Sequence, residues 1–410
     1  MGASASSKTT FKQFIEWKYK RVFGAEGWSL LTAGLLIGLV NIVSYVWVGK
    51  AFTVYTGFLN WGQHIYNLIG FRGVVGEPKA LPLLEPTSVG DIGAILGAML
   101  AALLSNEFAI RKPSSLLDIL ESIIGGTLMA LGVSLAFGCN WGGFLSAITS
   151  WSLHGFAFLI GAILGGYLGL RYVTLRAERI TLRLVWPAQP DGAFTQIVDR
   201  RNYDGRLSRL LSLTVAVILL ALLAAYYAVI GSPMIGGLFV GMAIGIILQR
   251  ARFCFVTAFR DLFNGPENTR ALGIQKGIIV AIISGSIGVF ALKYMGIVKE
   301  GAGVAPVYVT NVLGGLIFTF GAVLAGGCAS GLLWRTGEGH VKAWIALLTT
   351  VLAYPLFYSL LRPYFSGYPA VFLPGTIGWI PALVAMIVFA AAYAAFVYYL
   401  EYRYKMQSTS

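Results

Sequence analysis

Apolar residues in this chain run on for about 20 positions at a time, the length that carries a helix across a bilayer, and short polar stretches break the runs. From one polar break to the next they fall at 28–49, 90–108, 116–138, 153–174, 210–230, 234–250, 273–295, 308–326, 342–361 and 377–400. The pattern predicts an all-α polytopic membrane protein with nine to ten transmembrane helices. Its parts are a polar N-terminal segment (1–27), a first transmembrane repeat (28–174), an Arg-rich loop (175–209), a second repeat (210–400) and a short tail (401–410).

Two stretches repeat. Gly125–Gly142, GGTLMALGVSLAFGCNWG, returns as Gly314–Gly331, GGLIFTFGAVLAGGCASG, with the opening glycine pair, Gly132/Gly321, Ala136/Ala325 and the closing G-C-x-x-G in common. A weaker match sets Phe52–Phe58 against Phe253–Phe259, with Thr53 where Cys254 stands. The halves are offset by five spans, an odd number, so the second is expected upside down relative to the first. Inverted repeats with interrupted helices bring their broken segments together near the bilayer centre, where irregular backbone is tolerated only inside protein or along a cavity. The expected re-entrant loops are 51–60, 139–150, 253–263 and 328–338. The ridges Gly34/Gly38, Gly161/Gly165/Gly169 and Gly237/Gly241/Gly245 read as close helix packing.

Composition agrees with the pattern: 57% of residues are apolar and 11% charged, and the mean hydropathy is +0.76, outside the range of soluble domains. The net charge of +13 raises the question of nucleic acid. The basic residues flank apolar runs instead of forming a stripe, so they report topology. Arg176, Arg179, Arg183, Arg200, Arg201, Arg206 and Arg209 crowd the 175–209 loop. That is expected to place the loop, and with it both termini, on the cytoplasmic side of the membrane. The first 27 residues lack the apolar core of a signal peptide.

The chemistry lies at the Gly-Cys turns. Gly138 and Gly142 flank Cys139, and Gly327 and Gly331 flank Cys328; such turns leave backbone N–H groups open to an anion. A thiol beside them adds a polarisable sulfur and a weak donor, which suits a small anion with a soft sulfur or selenium atom. Cys254 is the remaining cysteine, with Arg252, Arg260 and Asp261 around it; Arg335, Glu338 and His340 follow Cys328. Asp261 and Glu338 read as local ion-pair partners of Arg260 and Arg335. Asp118 and Glu121 read as partners of Arg111 or Lys112, and His154 and His340 as polar caps on the helices that follow. No C-x-x-C or H-x-x-x-H pair occurs, so neither a metal site nor a cofactor is expected. The turns also fit a second chemistry, a membrane-embedded sulfurtransferase that forms a cysteine persulfide on Cys328 or Cys254 and needs a nearby cation to hold a thiolate. A passive channel with incidental thiols is a third reading.

G-C-N-W-G-G (138–143), Q-R-A-R-F-C-F-V-T-A-F-R-D (249–261) and A-G-G-C-A-S-G (325–331) followed by G-E-G-H (337–340) resemble the YeeE/YedE family of bacterial and archaeal membrane proteins, and the R-F-C-F-x-x-A-F-R-D form is similar to the YedE branch. The resemblance implies an hourglass-like fold and a non-enzymatic importer of thiosulfate or a related sulfur or selenium ion. It also implies a relay in which Cys139, Cys254 and Cys328 pass the ion by S–H contacts without a covalent intermediate. Because the last span ends near residue 400, any small cytoplasmic sulfur carrier is expected as a separate partner.

Overall fold

The computed structural model describes residues 27–179, 205–265, 269–365 and 367–409. The N-terminal segment up to residue 26 and the 180–204 part of the Arg-rich loop lie outside the described residues. The helices of six or more residues, in chain order, are α1 (Leu30–Val48), α2 (Tyr55–Leu68), α3 (Pro86–Leu104), α4 (Leu116–Ala136), α5 (His154–Arg179), α6 (Gly205–Ile230), α7 (Ser232–Ala251), α8 (Phe255–Arg260), α9 (Thr269–Tyr294), α10 (Val309–Ala325), α11 (Ala329–Gly337), α12 (Val341–Phe365) and α13 (Trp379–Thr409). A π-helical turn, Asn140–Ser146, follows α4. Among the described residues nine helices are long and apolar enough to cross a membrane, and α6 adds a shorter apolar piece, Leu220–Ile230. The protein is a polytopic all-α membrane protein. Large apolar side chains such as Leu222, Val309, Ile380 and Val388 stand exposed, as hydrocarbon surroundings require.

The second span starts at Pro86, four residues before the apolar run suggests. Glu85 accepts the Ser88 N–H at 2.7 Å, and Pro86 occupies the first helical position, where its missing N–H costs nothing. A cap of this kind is polar, so hydropathy places the start too late.

Helices approach to backbone contact where glycine allows it. A methyl on Gly241 of α7 would lie 1.9 Å from the Gly90 carbonyl of α3. The repeated stretches pack on each other through the glycines they share. A methyl on Gly125 would stand 2.5 Å from the Ala325 N and 2.6 Å from the Gly321 O; on Gly314, 2.6 Å from the Ala136 N and 2.7 Å from the Gly132 O. Each contact thus occurs twice with the partners exchanged. The same exchange holds between elements: α3 packs on α7 as α9 packs on α1, α5 on α10 as α12 on α4, and α2 on α12 as α8 on α5.

Four helices end at a residue in the left-handed region, Gly49, Phe137, Arg252 and Gly326, and each break is followed by a short connector and then a shorter helix or the π turn. For Phe137 and Arg252 this conformation costs about 1 kcal/mol, and each carbonyl is held by a distant side chain. Tyr55 Oη donates to the Phe137 O at 2.6 Å, and Arg270 Nη2 donates to the Arg252 O at 3.0 Å.

Candidate functional site

Each cysteine stands immediately before the helix that follows a break: Cys139 before the π turn, Cys254 before α8 and Cys328 before α11. The sulfurs are thereby set against backbone N–H groups. Cys139 Sγ accepts the Gly142 N–H at 3.5 Å and is also reached by the N–H groups of Trp141 and Val54. Cys328 is reached by the Gly331 N–H, and its Sγ lies 3.4 Å from Ser330 Oγ. The three side chains are 1%, 4% and 1% exposed and belong to one core cluster. Cys328 lies within electrostatic reach of both other thiols.

Aromatic rings join three of the broken segments. Trp141 meets Phe52 edge-on at 5.6 Å and Phe255 at 5.9 Å, while Phe144 meets Phe259 at 5.5 Å. A methyl on Gly142 would touch Tyr55 and Thr53 at 3.0 and 3.2 Å, so the 51–60 segment closes against the Cys139 turn. Gly138 lies back to back with Gly143, where a methyl would come within 2.3 Å. The buried donors Asn140 Nδ2 and Trp141 Nε1, on the two residues after Cys139, and Trp334 Nε1 on α11 find no acceptor among the described residues. Donors of this kind, together with thiols and turn amides, can take up the oxygens and the soft atom of a small oxyanion.

The charged residues expected at the site sort differently. Arg260 pairs with Asp261, as the sequence suggests, and this hydrogen bond, opposed by burial, holds its guanidinium above the ordinary value. Arg252 reaches Glu107 at 3.2 Å. Arg335 lies over the Trp334 ring and not on Glu338, contrary to the expected pair. Glu338 instead accepts from Gln249 at 2.9 Å and lies 3.2 Å from His340 and 3.7 Å from Arg111. Burial pushes the Glu338 carboxyl up, but His340, Gln249 and Arg111 outweigh it and hold it below the usual carboxylate value. Asp118 and Glu121 pair with Arg176 and Lys342, not with Arg111 or Lys112, because α5 and α12 bring those cations alongside α4. His154 opens α5, with its Nδ1 at 2.6 Å from Ser152 Oγ.

Two residues outside the sequence reading bear on the site. Tyr55 ties the 51–60 segment to the end of α4. Asp91 on α3 is fully buried within electrostatic reach of Cys139. A lone aromatic beside a break and a lone acid early in an apolar run carry no spacing signal of their own. Two clefts, one lined by residues including Leu159, Phe259 and Tyr393 and the other by Tyr167, Arg171 and Phe263, contain no cysteine. Among the described residues no three His, Cys, Asp or Glu side chains gather as a ligand set.

A family model described as "Sulphur transport" matches residues 3–168 and 250–410. The chain is 30% identical over 355 residues to the "Probable transporter YedE" of Escherichia coli (strain K12), covering 83% of this chain and 84% of that protein. Over 118 residues it is 42% identical to the "Thiosulfate transporter TsuA" of the same organism, covering 29% of this chain and 32% of that one. To the "Thiosulfate transporter TsuA" of Spirochaeta thermophila it is 39% identical over 116 residues, covering 27% of this chain and 32% of that one.

Proposed function

Because the chain belongs to the sulphur transport family, we propose that it imports thiosulfate, or a closely related sulfur or selenium anion, across the inner membrane along a path lined by Cys139, Cys328 and Cys254. The observation that carries this reading is the gathering of three thiols, each at the start of a helix that follows a break, into one buried cluster with backbone N–H groups aimed at the sulfurs of Cys139 and Cys328. Thiosulfate matches both halves of that chemistry: its sulfonate oxygens accept N–H donors, and its terminal sulfur accepts weak S–H bonds. Gly138 and Gly142 let the Cys139 turn close on Gly143 and on the 51–60 segment, Gly327 packs on Gly331, and Gly331 leaves space over the Cys328 sulfur.

The exchanged contacts between the repeats support an inverted architecture in which the four broken segments enter from opposite faces and meet near the bilayer centre. Both termini face the cytoplasm, where a separate small sulfur carrier would receive the ion. Transfer occurs by S–H contacts without a covalent step. Arg252 and Arg260, the cations flanking Cys254 in sequence, are engaged by Glu107 and Asp261, and Arg270, also within electrostatic reach of that thiol, donates to the carbonyls of Ala251 and Arg252.

The test is accumulation of labelled thiosulfate in cells lacking other sulfate and thiosulfate importers, with the intact mass of the purified protein measured after exposure. The expected result is uptake that selenium analogues compete for, with no sulfur added to the protein. Absence of uptake by folded protein would contradict the substrate, and a persulfide mass would move the sulfurtransferase reading ahead.

A further inference from the structure

Asp91 sits in the second turn of α3, fully buried, and neither of its carboxyl oxygens has a hydrogen-bond partner among the described residues. Its Oδ2 occupies the space a side chain at Gly57 would fill: a methyl there would stand 2.2 Å from it. Gly57 lies in the first turn of α2, and the residue preceding that helix, Val54, directs its N–H at Cys139. The carboxyl and the thiol therefore flank the same helix start.

Among the described residues, the groups on the elements packed against α3 leave Asp91 without a counter-charge. Glu85, on the turn before α3, is the titratable neighbour within electrostatic reach besides Cys139, and it is engaged by Thr87, the Ser88 N–H and Lys50. On α2, Tyr55 donates to the Phe137 O and His64 meets the Ala80 O. Along this stretch α7 presents Gly237 and Gly241 to the α3 backbone, and its Arg250 reaches Glu107 toward the far end. On α11, Arg335 lies over Trp334, and α6 brings Tyr227, which packs with Val89. A carboxylate at this depth with neither donor nor counter-ion is strongly disfavoured. A hard metal cation would demand a shell of oxygens, whereas Oδ2 abuts Gly57.

We propose that Asp91 is the proton-binding group that couples anion import to proton entry, an inference that rests on the transport reading above. Moving a dianion inward against an interior-negative potential is uphill, and a proton carried on Asp91 as the anion passes Cys139 offsets that cost. Thiol and carboxyl on either side of one helix start give the two ions a shared moving part.

The experiment uses the purified full chain in lipid vesicles, wild type beside Asp91→Asn, with three readouts. These are accumulation of labelled thiosulfate under an inward proton gradient, thiosulfate exchange without a gradient, and the infrared band of a protonated carboxyl compared between acid and alkaline buffer. Wild type should accumulate about tenfold more per proton for each pH unit across the membrane. Asp91→Asn should lose that accumulation and the infrared band while still exchanging thiosulfate. Gradient-driven accumulation in Asp91→Asn, accumulation by wild type that follows sodium instead, or a band that survives the substitution would overturn the proposal. If wild type moves no thiosulfate but shows the Asp91 band, the substrate fails and the proton site stands. If wild type lacks the band, the proton site fails whatever the substrate, and that measurement does not depend on the variant folding.

Discussion

Gly331 shows how closely a single residue bears on the proposed chemistry. A methyl added there meets only the Cys328 sulfur, at 3.6 Å, an ordinary contact, whereas a methyl on Gly138 would drive to 2.3 Å from the backbone of Gly143. The first substitution leaves the fold intact and fills space over a thiol; the second breaks the turn. Gly331→Ala is expected to reach the membrane at wild-type level yet lose about tenfold in thiosulfate uptake, equivalent to about 1.4 kcal/mol. Gly138→Ala is expected to accumulate poorly. Uptake at matched membrane abundance checks this, and full activity in Gly331→Ala would mean that the space over Cys328 is not part of the path. Cys139, Cys328 and their glycines were legible in the sequence as candidates because the same G-C-x-x-G closes both repeats. Asp91 was not, because only the folded packing of α2 on α3 leaves its carboxyl oxygens without partners.

Among the elements, the ends of α3, α7, α11 and α12 meet in a polar network at one end of the molecule. Glu107 and Glu338 share Gln249, and the 109–111 and 339–341 backbones hydrogen-bond to one another. Glu338 has a folded-state value below the ordinary 4.5. Its contribution to stability is therefore present above pH 4.5 and is lost as pH falls through the lower folded value. Glu338→Gln should cost about 1–3 kcal/mol near neutral pH and should lose less melting temperature than wild type on acidification below 4.5. Thermal unfolding in detergent at stepped pH measures both, and parallel acid slopes would show that Glu338 does not carry the dependence. The sequence paired the charges of Glu338 and Asp118 wrongly. Proximity along the chain favours Arg335 for Glu338 and Arg111 for Asp118, whereas packing brings Gln249 and His340 to Glu338 and Arg176 and Lys342 to α4. Helix starts escaped in the same way, because Glu85 and Pro86 set the beginning of α3 through a cap that hydropathy does not register.

Across the whole molecule, the paired contacts of α4 with α10, and of α3 with α7 and α1 with α9, give two similar halves packed with their partners exchanged. An arrangement of this kind permits alternating exposure by moving one half against the other around a fixed centre. With the three cysteines 1–4% exposed, the proposed path is closed in this structure and would need the broken segments to part. The Gly-Cys repeat was visible in the sequence because both copies meet the same packing demand, glycine against backbone. The route by which the segments converge was not, since it depends on Tyr55 and Arg270 holding the carbonyls of Phe137 and Arg252. The most direct test of the central claim is labelled thiosulfate uptake by wild type and by Cys139→Ser, Cys254→Ser and Cys328→Ser at matched membrane levels, in cells without other importers. The account predicts robust uptake by wild type and near-complete loss in each variant, because a hydroxyl keeps the size and loses the soft sulfur contact. Undiminished uptake in all three would contradict a thiol-lined path.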